Sequence, residues 1–388
     1  MKYREVPMLN LKEEYDEVRE EINLALSQVA SSGQYIGGKV VRDFESQLEE
    51  YLDCSDVVSC GNGTDALQIA LMSLDLDPGD EVVVPAFTYV AAIEVVCLLG
   101  LKPVLVDIDA LTFGVTADHI RPYISERTKA IIVVHLFGQC IDMKDIMRLA
   151  EEHNLHIIED NAQSFGSAYR SFDKWRLAGT IGHIGCMSFF PSKSLGAFGD
   201  AGAICTNDKG LAKSMSRIAR HGQSKKYYHE TLGVNSRLDA IQAKILTLKL
   251  ALFNAKVDRR QVIAAQYDEA FVSYEHLMIP YRLDNSTHIY GQYTLRVKND
   301  LRDQLMNYLQ QQGISSVIYY PIPAHRQKAF QQYFTDGDTY ENAELVCSQV
   351  LSIPIYPTMS QEDIDYVCLL YTSPSPRDLS TSRMPSSA

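Results

Sequence analysis

The chain has 388 residues, 46% hydrophobic and 22% charged, with a formal net charge of −13. A single core stops growing near ~250–300 residues, so this composition belongs to a folded chain with more than one core and excludes a disordered one. The acidity argues against nucleic acid as a partner, and no run approaches the ~18–20 apolar residues of a membrane span.

The start, Met1-Lys2-Tyr3-Arg4-Glu5, lacks the apolar stretch of a secretion signal, so a cytoplasmic location is expected. Leu11, Tyr15, Val18, Ile22 and Leu26 give a helical pattern over 10–30, and Val41, Phe44, Leu48 and Tyr51 give another over 40–52. Strands then alternate with helices. Strands are expected at 57–60, 81–85, 102–106, 130–134 and 156–160, with helices at 64–74, 90–99 and 143–154 between them. Two more strands, Met187–Phe190 and Ala203–Thr206, flank a glycine-rich segment, and a long helix is expected from about Asp239 to Ala270. Continuously apolar strands separated by helices mean a mostly parallel sheet covered on both faces, an α/β architecture. The eight cysteines form no C-x-x-C pair, so free buried thiols are expected rather than a metal site.

Ligands of open α/β sheets bind at the carboxyl ends of the strands. Three segments there carry chemistry. Cys60-Gly61-Asn62-Gly63-Thr64-Asp65 joins a strand to a helix, which suits a phosphate or carboxylate at the helix N-terminus, or is an ordinary capped turn. It matches neither G-x-G-x-x-G nor a P-loop. Asp160 closes an apolar strand, where a carboxylate is costly unless a cation such as a protonated ring nitrogen pairs with it, or unless it caps a helix. Lys193, in Ser188-Phe189-Phe190-Pro191-Ser192-Lys193, is either an exposed loop lysine or a desolvated amine fit to form a Schiff base. Phosphate turn, aspartate and lysine together are what pyridoxal phosphate chemistry requires.

These segments, with Pro85-Ala86-Phe87-Thr88-Tyr89 and Gly233-Val234-Asn235-Ser236-Arg237-Leu238, closely resemble the DegT/DnrJ/EryC1/StrS nucleotide-sugar aminotransferases. The resemblance implies a fold-type I, aspartate aminotransferase-like architecture: a mostly parallel seven-stranded central sheet and a smaller α+β C-terminal domain. It implies pyridoxal phosphate as cofactor, with pyridoxamine phosphate as its amino form. On this resemblance Lys193 would carry the cofactor and move the proton, and Asp160 would pair with the ring nitrogen. Gln163 would bond the ring hydroxyl, Tyr89 would stack on the ring, and Gly63, Thr64 and Ser188 would hold the phosphate. The resemblance also implies that Asn235 reaches the phosphate of a neighbouring subunit, which would make the active unit a homodimer with shared sites. As donor the family pattern implies glutamate, leaving as 2-oxoglutarate, and as acceptor a nucleotide-linked keto sugar.

The strings around Lys193, Arg220-His221-Gly222-Gln223 and Gly233–Asp239 most resemble the carbon-3 aminotransferases that act on a UDP-linked 3-keto-2-acetamido-glucuronic acid for surface polysaccharide. The alternatives are a carbon-4 aminotransferase, a dehydratase of the same fold and a non-catalytic paralogue. The dehydratases have histidine at the lysine position, and Lys193 argues against them. Arg237 suits a carboxylate or pyrophosphate, or an ion pair with Asp239. Tyr319, Tyr320 and His325 are candidate substrate contacts; Tyr319 stands where the family pattern has histidine, and Ser171-Phe172 and Trp175 depart from it as well.

The expected domains are 1–254, binding the cofactor, and 255–367. The codons TGT CTC TTA TAC ACA TCT encode Cys-Leu-Leu-Tyr-Thr-Ser and resemble a transposase-type sequencing adapter, so 368–388 are expected to be read-through rather than native chain.

Overall fold

The computed structural model describes residues 4–171, 174–335, 337 and 339–372. Phe172 and, of the segment read as adapter-derived, residues 373–388 lie outside these. In chain order, α1 (Leu11–Asp16), α2 (Arg19–Ser32) and α3 (Gly38–Leu52) precede β1 (Asp56–Cys60) and α4 (Gly63–Met72). Then come β2 (Glu81–Pro85), α5 (Ala91–Leu98), β3 (Lys102–Val106), α6 (Ala117–Ile120), β4 (Thr128–Val134), α7 (Lys144–His153) and β5 (His156–Asp160). A hairpin of β6 (Ala168–Ser171) and β7 (Lys174–Leu177) leads to β8 (Ile184–Ser188), β9 (Gly202–Thr206) and α8 (Lys209–Ile218). A small hairpin, β10 (Gln223–Lys225) and β11 (Tyr228–His229), precedes α9 (Ala240–Ala251) and α10 (Phe253–Phe271). The remainder is β12 (Leu277–Met278), β13 (Tyr293–Val297), α11 (Arg302–Gln311), α12 (Glu341–Gln349), β14 (Val350–Ile353) and α13 (Gln361–Thr372). No helix among the described residues is long and apolar enough to cross a membrane.

The central sheet has seven strands in the order β1-β9-β8-β5-β4-β2-β3. The β2, β3, β4, β5 and β8 neighbours pair in parallel, whereas β9 runs antiparallel to both β1 and β8. Every position of β2, β8 and β9 is buried, which is why these strands read as continuous apolar runs. Side chains of a strand alternate between faces. On β9, Ile204 enters a core with α4, α5, α7 and α8, while Ala203 and Cys205 enter another with α3 and α9. A third core joins α10, α11 and α13 to the β12-β13-β14 sheet, and Val6 belongs to it through a backbone bond to Gly313. Residues Ala324 to Val350 add to the core of the central sheet, so chain order and core membership do not coincide.

Three expectations are corrected. The strand expected at Met187–Phe190 is Ile184–Ser188: Phe189 and Phe190 leave the ladder, and Phe189 N–H turns to Ala201 O while its own carbonyl accepts from Ala197 N–H. The N-terminal helix breaks at Glu17–Val18, and the long helix breaks at Leu252, whose N–H bonds to Lys249 O with the spacing of a tighter turn.

Candidate active site

Because β9 alone is reversed, β1, β2, β4, β5 and β8 all end on one edge of the sheet. Gly202, the first residue of β9, lies on that edge between Cys60 and Ser188. Segments 61–65, 86–89, 135–137, 160–164 and 188–196 therefore converge there.

Asp160 is buried and its Oδ1 accepts from Ala162 N–H at 3.1 Å. Burial pushes its carboxyl up, with that N–H, Lys193 and His135 pulling the other way. Lys193 is half-buried; desolvation pushes its ammonium down and the Asp160 charge opposes this. Each is thus within electrostatic reach of the other. Gln163 is gripped at both ends: its Oε1 accepts from Phe137 N–H at 2.8 Å, and its Nε2 donates to the Tyr320 hydroxyl at 2.8 Å. The Tyr320 ring lies 5.9 Å from Tyr89 and from Phe87, and Ala324 N–H bonds to Ala86 O, which brings segment 319–324 to the site. Tyr89 is 55% exposed, which leaves a ring face open. Thr88 Oγ1 and Ser194 Oγ, beside Tyr89 and Lys193 in the chain, are buried without a hydrogen-bond partner. Such orphans fit a site that takes a polar ligand.

Asn62 caps α4 by accepting from Asp65 N–H at 2.8 Å, so Gly63 and Thr64 begin the helix and their N–H groups precede its first internal bonds. A Cβ on Gly63 would lie 2.7 Å from Ser188 Cβ, and one on Gly202 would lie 2.5 Å from Asn62 O. Only bare backbone lets the helix start approach the end of β8 this closely. N–H groups at a helix start beside the Ser188 hydroxyl make an arrangement that suits an anion. Ser236, which sequence reasoning missed, locks it: its Oγ accepts from Gly61 N–H at 2.8 Å and donates to Asp65 Oδ2 at 2.6 Å. With Ser236 buried, Asn235 and Arg237 on either side of it are exposed. Arg237 makes no salt bridge among the described residues, to Asp239 or any other.

His135 was also missed, although a polar residue closing an apolar strand is the signal that identified Asp160. Its Nε2 bonds to Glu159 Oε2 at 2.8 Å, and Cys140 lies beside them, all three buried. The Glu159 carboxylate is filled by N–H groups of Gly179, Ile181 and Gly182, so these side chains form a bracket under Asp160 rather than an open ligand set. Tyr319 packs edge-on to Tyr320, whereas His325 is turned to α12: its Nε2 meets Glu344 at 2.9 Å and its ring lies 4.8 Å from Tyr340.

A sequence model of the DegT/DnrJ/EryC1/StrS aminotransferase family matches residues 16–370. Among curated proteins, a Pseudomonas aeruginosa UDP-2-acetamido-2-deoxy-3-oxo-D-glucuronate aminotransferase is 40% identical over 95% of this chain and 100% of its own. An Acidithiobacillus ferrooxidans UDP-N-acetyl-3-dehydro-alpha-D-glucosamine 3-aminotransferase is 38% identical over 92% of this chain and 95% of its own. Among solved structures, S. venezuelae DesV in complex with a ketimine intermediate superposes with a TM-score of 0.91 at 35% identity, covering 95% of this chain and 97% of that one.

Proposed function

The chain belongs to the DegT/DnrJ/EryC1/StrS aminotransferase family, and from that premise we propose that it moves an amino group onto carbon 3 of a UDP-linked keto sugar. The observation that carries this reading is the buried Asp160 carboxylate within electrostatic reach of the half-buried Lys193 amine at the carboxyl edge, in a chain 95% of which aligns with the whole of a 3-oxo-sugar aminotransferase. Pyridoxal phosphate, when bound, supplies an electron sink for charge on the carbon that bears the amino group.

The residues do the rest. Desolvation leaves more of the Lys193 amine unprotonated near neutral pH, which makes it both nucleophile and base. Asp160 offers a buried carboxylate with spare acceptor capacity to a ring N–H, and a cation there would reverse the rise in its pKa. Gln163, fixed by Phe137 and Tyr320, holds its amide toward the ring hydroxyl. Gly63, Thr64 and Ser188 take the phosphate, and Tyr89 gives the ring an aromatic face. Asn235 and Arg237 face outward, which suits action on a neighbouring copy's site, with a homodimer as active unit and glutamate as donor. A cytoplasmic location fits a nucleotide-linked substrate.

The test is to load the protein with pyridoxal phosphate and add UDP-2-acetamido-3-amino-2,3-dideoxyglucuronate. Loss of the visible band with appearance of pyridoxamine phosphate is expected. An unchanged spectrum in protein that still converts with glutamate sinks the carbon-3 uronate assignment; conversion with a 4-amino sugar instead establishes carbon 4.

A further inference from the structure

Lys249, on α9, is 8% exposed and forms no salt bridge among the described residues. Its ammonium donates to Gly196 O, and it lies 5.6 Å from the Phe198 ring centre. Glu14 of α1 attracts it but is bonded to Lys256 of α10 at 3.3 Å. Burying a charge without a carboxylate partner is costly, and a leucine or methionine would fill the position more cheaply. Two turns earlier on the same helix, Gln242 brackets Phe198: its Oε1 accepts from Phe198 N–H at 2.8 Å and its Nε2 donates to Phe198 O at 3.2 Å.

Both contacts fall on the loop that carries Lys193. That loop is tight. Lys193 N–H bonds to Phe190 O at 2.8 Å, Ala197 N–H bonds to Phe189 O at 2.8 Å, and a Cβ on Gly196 would lie 2.4 Å from Pro191 O. A shift of Gly196 or Phe198 is therefore passed to Lys193. We propose that Lys249 and Gln242 are positioning residues, with α9 a clamp that sets the Lys193 amine against Asp160. The inference rests on Lys193 being the cofactor-bearing lysine. Desolvation pushes the Lys249 pKa down to about 8; Glu14 opposes, and Lys256 and Arg260 push the same way. Lys12 of α1 also lines the pocket around it. Above about pH 8 the clamp loses its charge and the bond to Gly196 weakens.

The test compares the wild type, K249M, K249R and Q242A, all loaded with pyridoxal phosphate. Steady-state amino exchange between glutamate and isotopically labelled 2-oxoglutarate, the pH titration of the visible band of lysine-bound cofactor and a thermal melt are recorded. K249M is expected to fold and show the band, with kcat down by about tenfold or more, KM changed by less than about twofold, and the titration midpoint displaced. K249R recovers part of the loss, because a cavity of about 290 Å³ beside Lys249 admits a guanidinium. Q242A loses less, in the same direction. Wild-type kcat and midpoint in K249M overturn the proposal, as does a loss no larger than the missing folded fraction. If K249M does not fold, Q242A decides, because its side chain is only half-buried: wild-type kinetics and spectrum there overturn the proposal. Failure of the underlying reading is distinct, for then the wild type itself shows no band.

Discussion

Glu159 and Asp160 are consecutive carboxylates on β5, and burial pushes both up. At Glu159 the His135 hydrogen bond and charge and the N–H groups of Gly182 and Gly179 outweigh that push and hold the carboxyl below its ordinary range. At Asp160 a single protein N–H, with Lys193 and His135, does not, and the carboxyl stays raised. One of the pair is satisfied by the fold; the other keeps spare acceptor capacity that would suit a cation. Asp160→Asn should still take up pyridoxal phosphate through Lys193, while the amino-sugar half-reaction slows by about a hundredfold or more in stopped-flow measurement. A wild-type rate would remove Asp160 from the chemistry. Asp160 is legible in the sequence because a carboxylate that ends an apolar strand needs a reason to be there, Lys193 because it sits between aromatic and small residues before a glycine loop, and Gln163 only through the family resemblance. Ser236 is not: its partner Asp65 is 171 residues away, and nothing local distinguishes that serine from its neighbours. The grip of Phe137 on Gln163 is a backbone contact, which residue identity does not encode.

At the scale of elements, one carboxylate holds a whole turn. Glu159 accepts from Gly179 and Ile181 N–H at 2.7 Å each and from Gly182 N–H, which fixes the segment entering β8. In Glu159→Gln an amide NH₂ must face one of these N–H groups or His135, so a donor meets a donor. The expected loss is about 2–4 kcal/mol of stability, read as a lower urea midpoint at pH 7. The pH dependence has a definite sign. The folded pKa of Glu159 lies below its ordinary value, so its contribution is whole above the unfolded carboxylate range near ~4.3 and drains as pH falls through the folded value. The variant should therefore show a flatter acid limb; equal midpoints for both proteins at pH 7 would refute the role. Strands were easier to place than their ends. The seven apolar runs of the central sheet are visible because most of their positions are buried, on both faces of the sheet. That β8 stops at Ser188 depends on Ala201 and Ala197 drawing Phe189 into the lysine loop, and the break at Leu252 depends on Phe253 packing into the core with α3 and Phe165. Both are tertiary facts that periodicity does not carry.

At the scale of the whole molecule, the segment holding Asn235 and Arg237 lies among exposed apolar side chains. Ala240 N–H bonds to Tyr35 O and Ile36 bridges to Asp239, which sets Tyr35 and Ile36, each 52% exposed, beside it. Tyr227 is 77% and Leu232 88% exposed on the adjoining hairpin and its exit. Gathered apolar groups of this kind mark an association surface. If a second copy covers it, Asn235 and Arg237 of one chain enter the site built by Lys193 and Asp160 of the other. Complementation tests this. A Lys193→Ala chain and an Asn235→Ala/Arg237→Ala chain are each expected to be nearly inactive alone. In a mixed dimer with shared sites, one site carries every substitution and the other carries none. Equal mixing then makes half the dimers mixed, each with one intact site of two, so activity should return to about a quarter of wild type after subunit exchange. A mixture no more active than the sum of its parts would mean that each chain completes its own site, with Asn235 and Arg237 serving the site of their own chain rather than that of the partner.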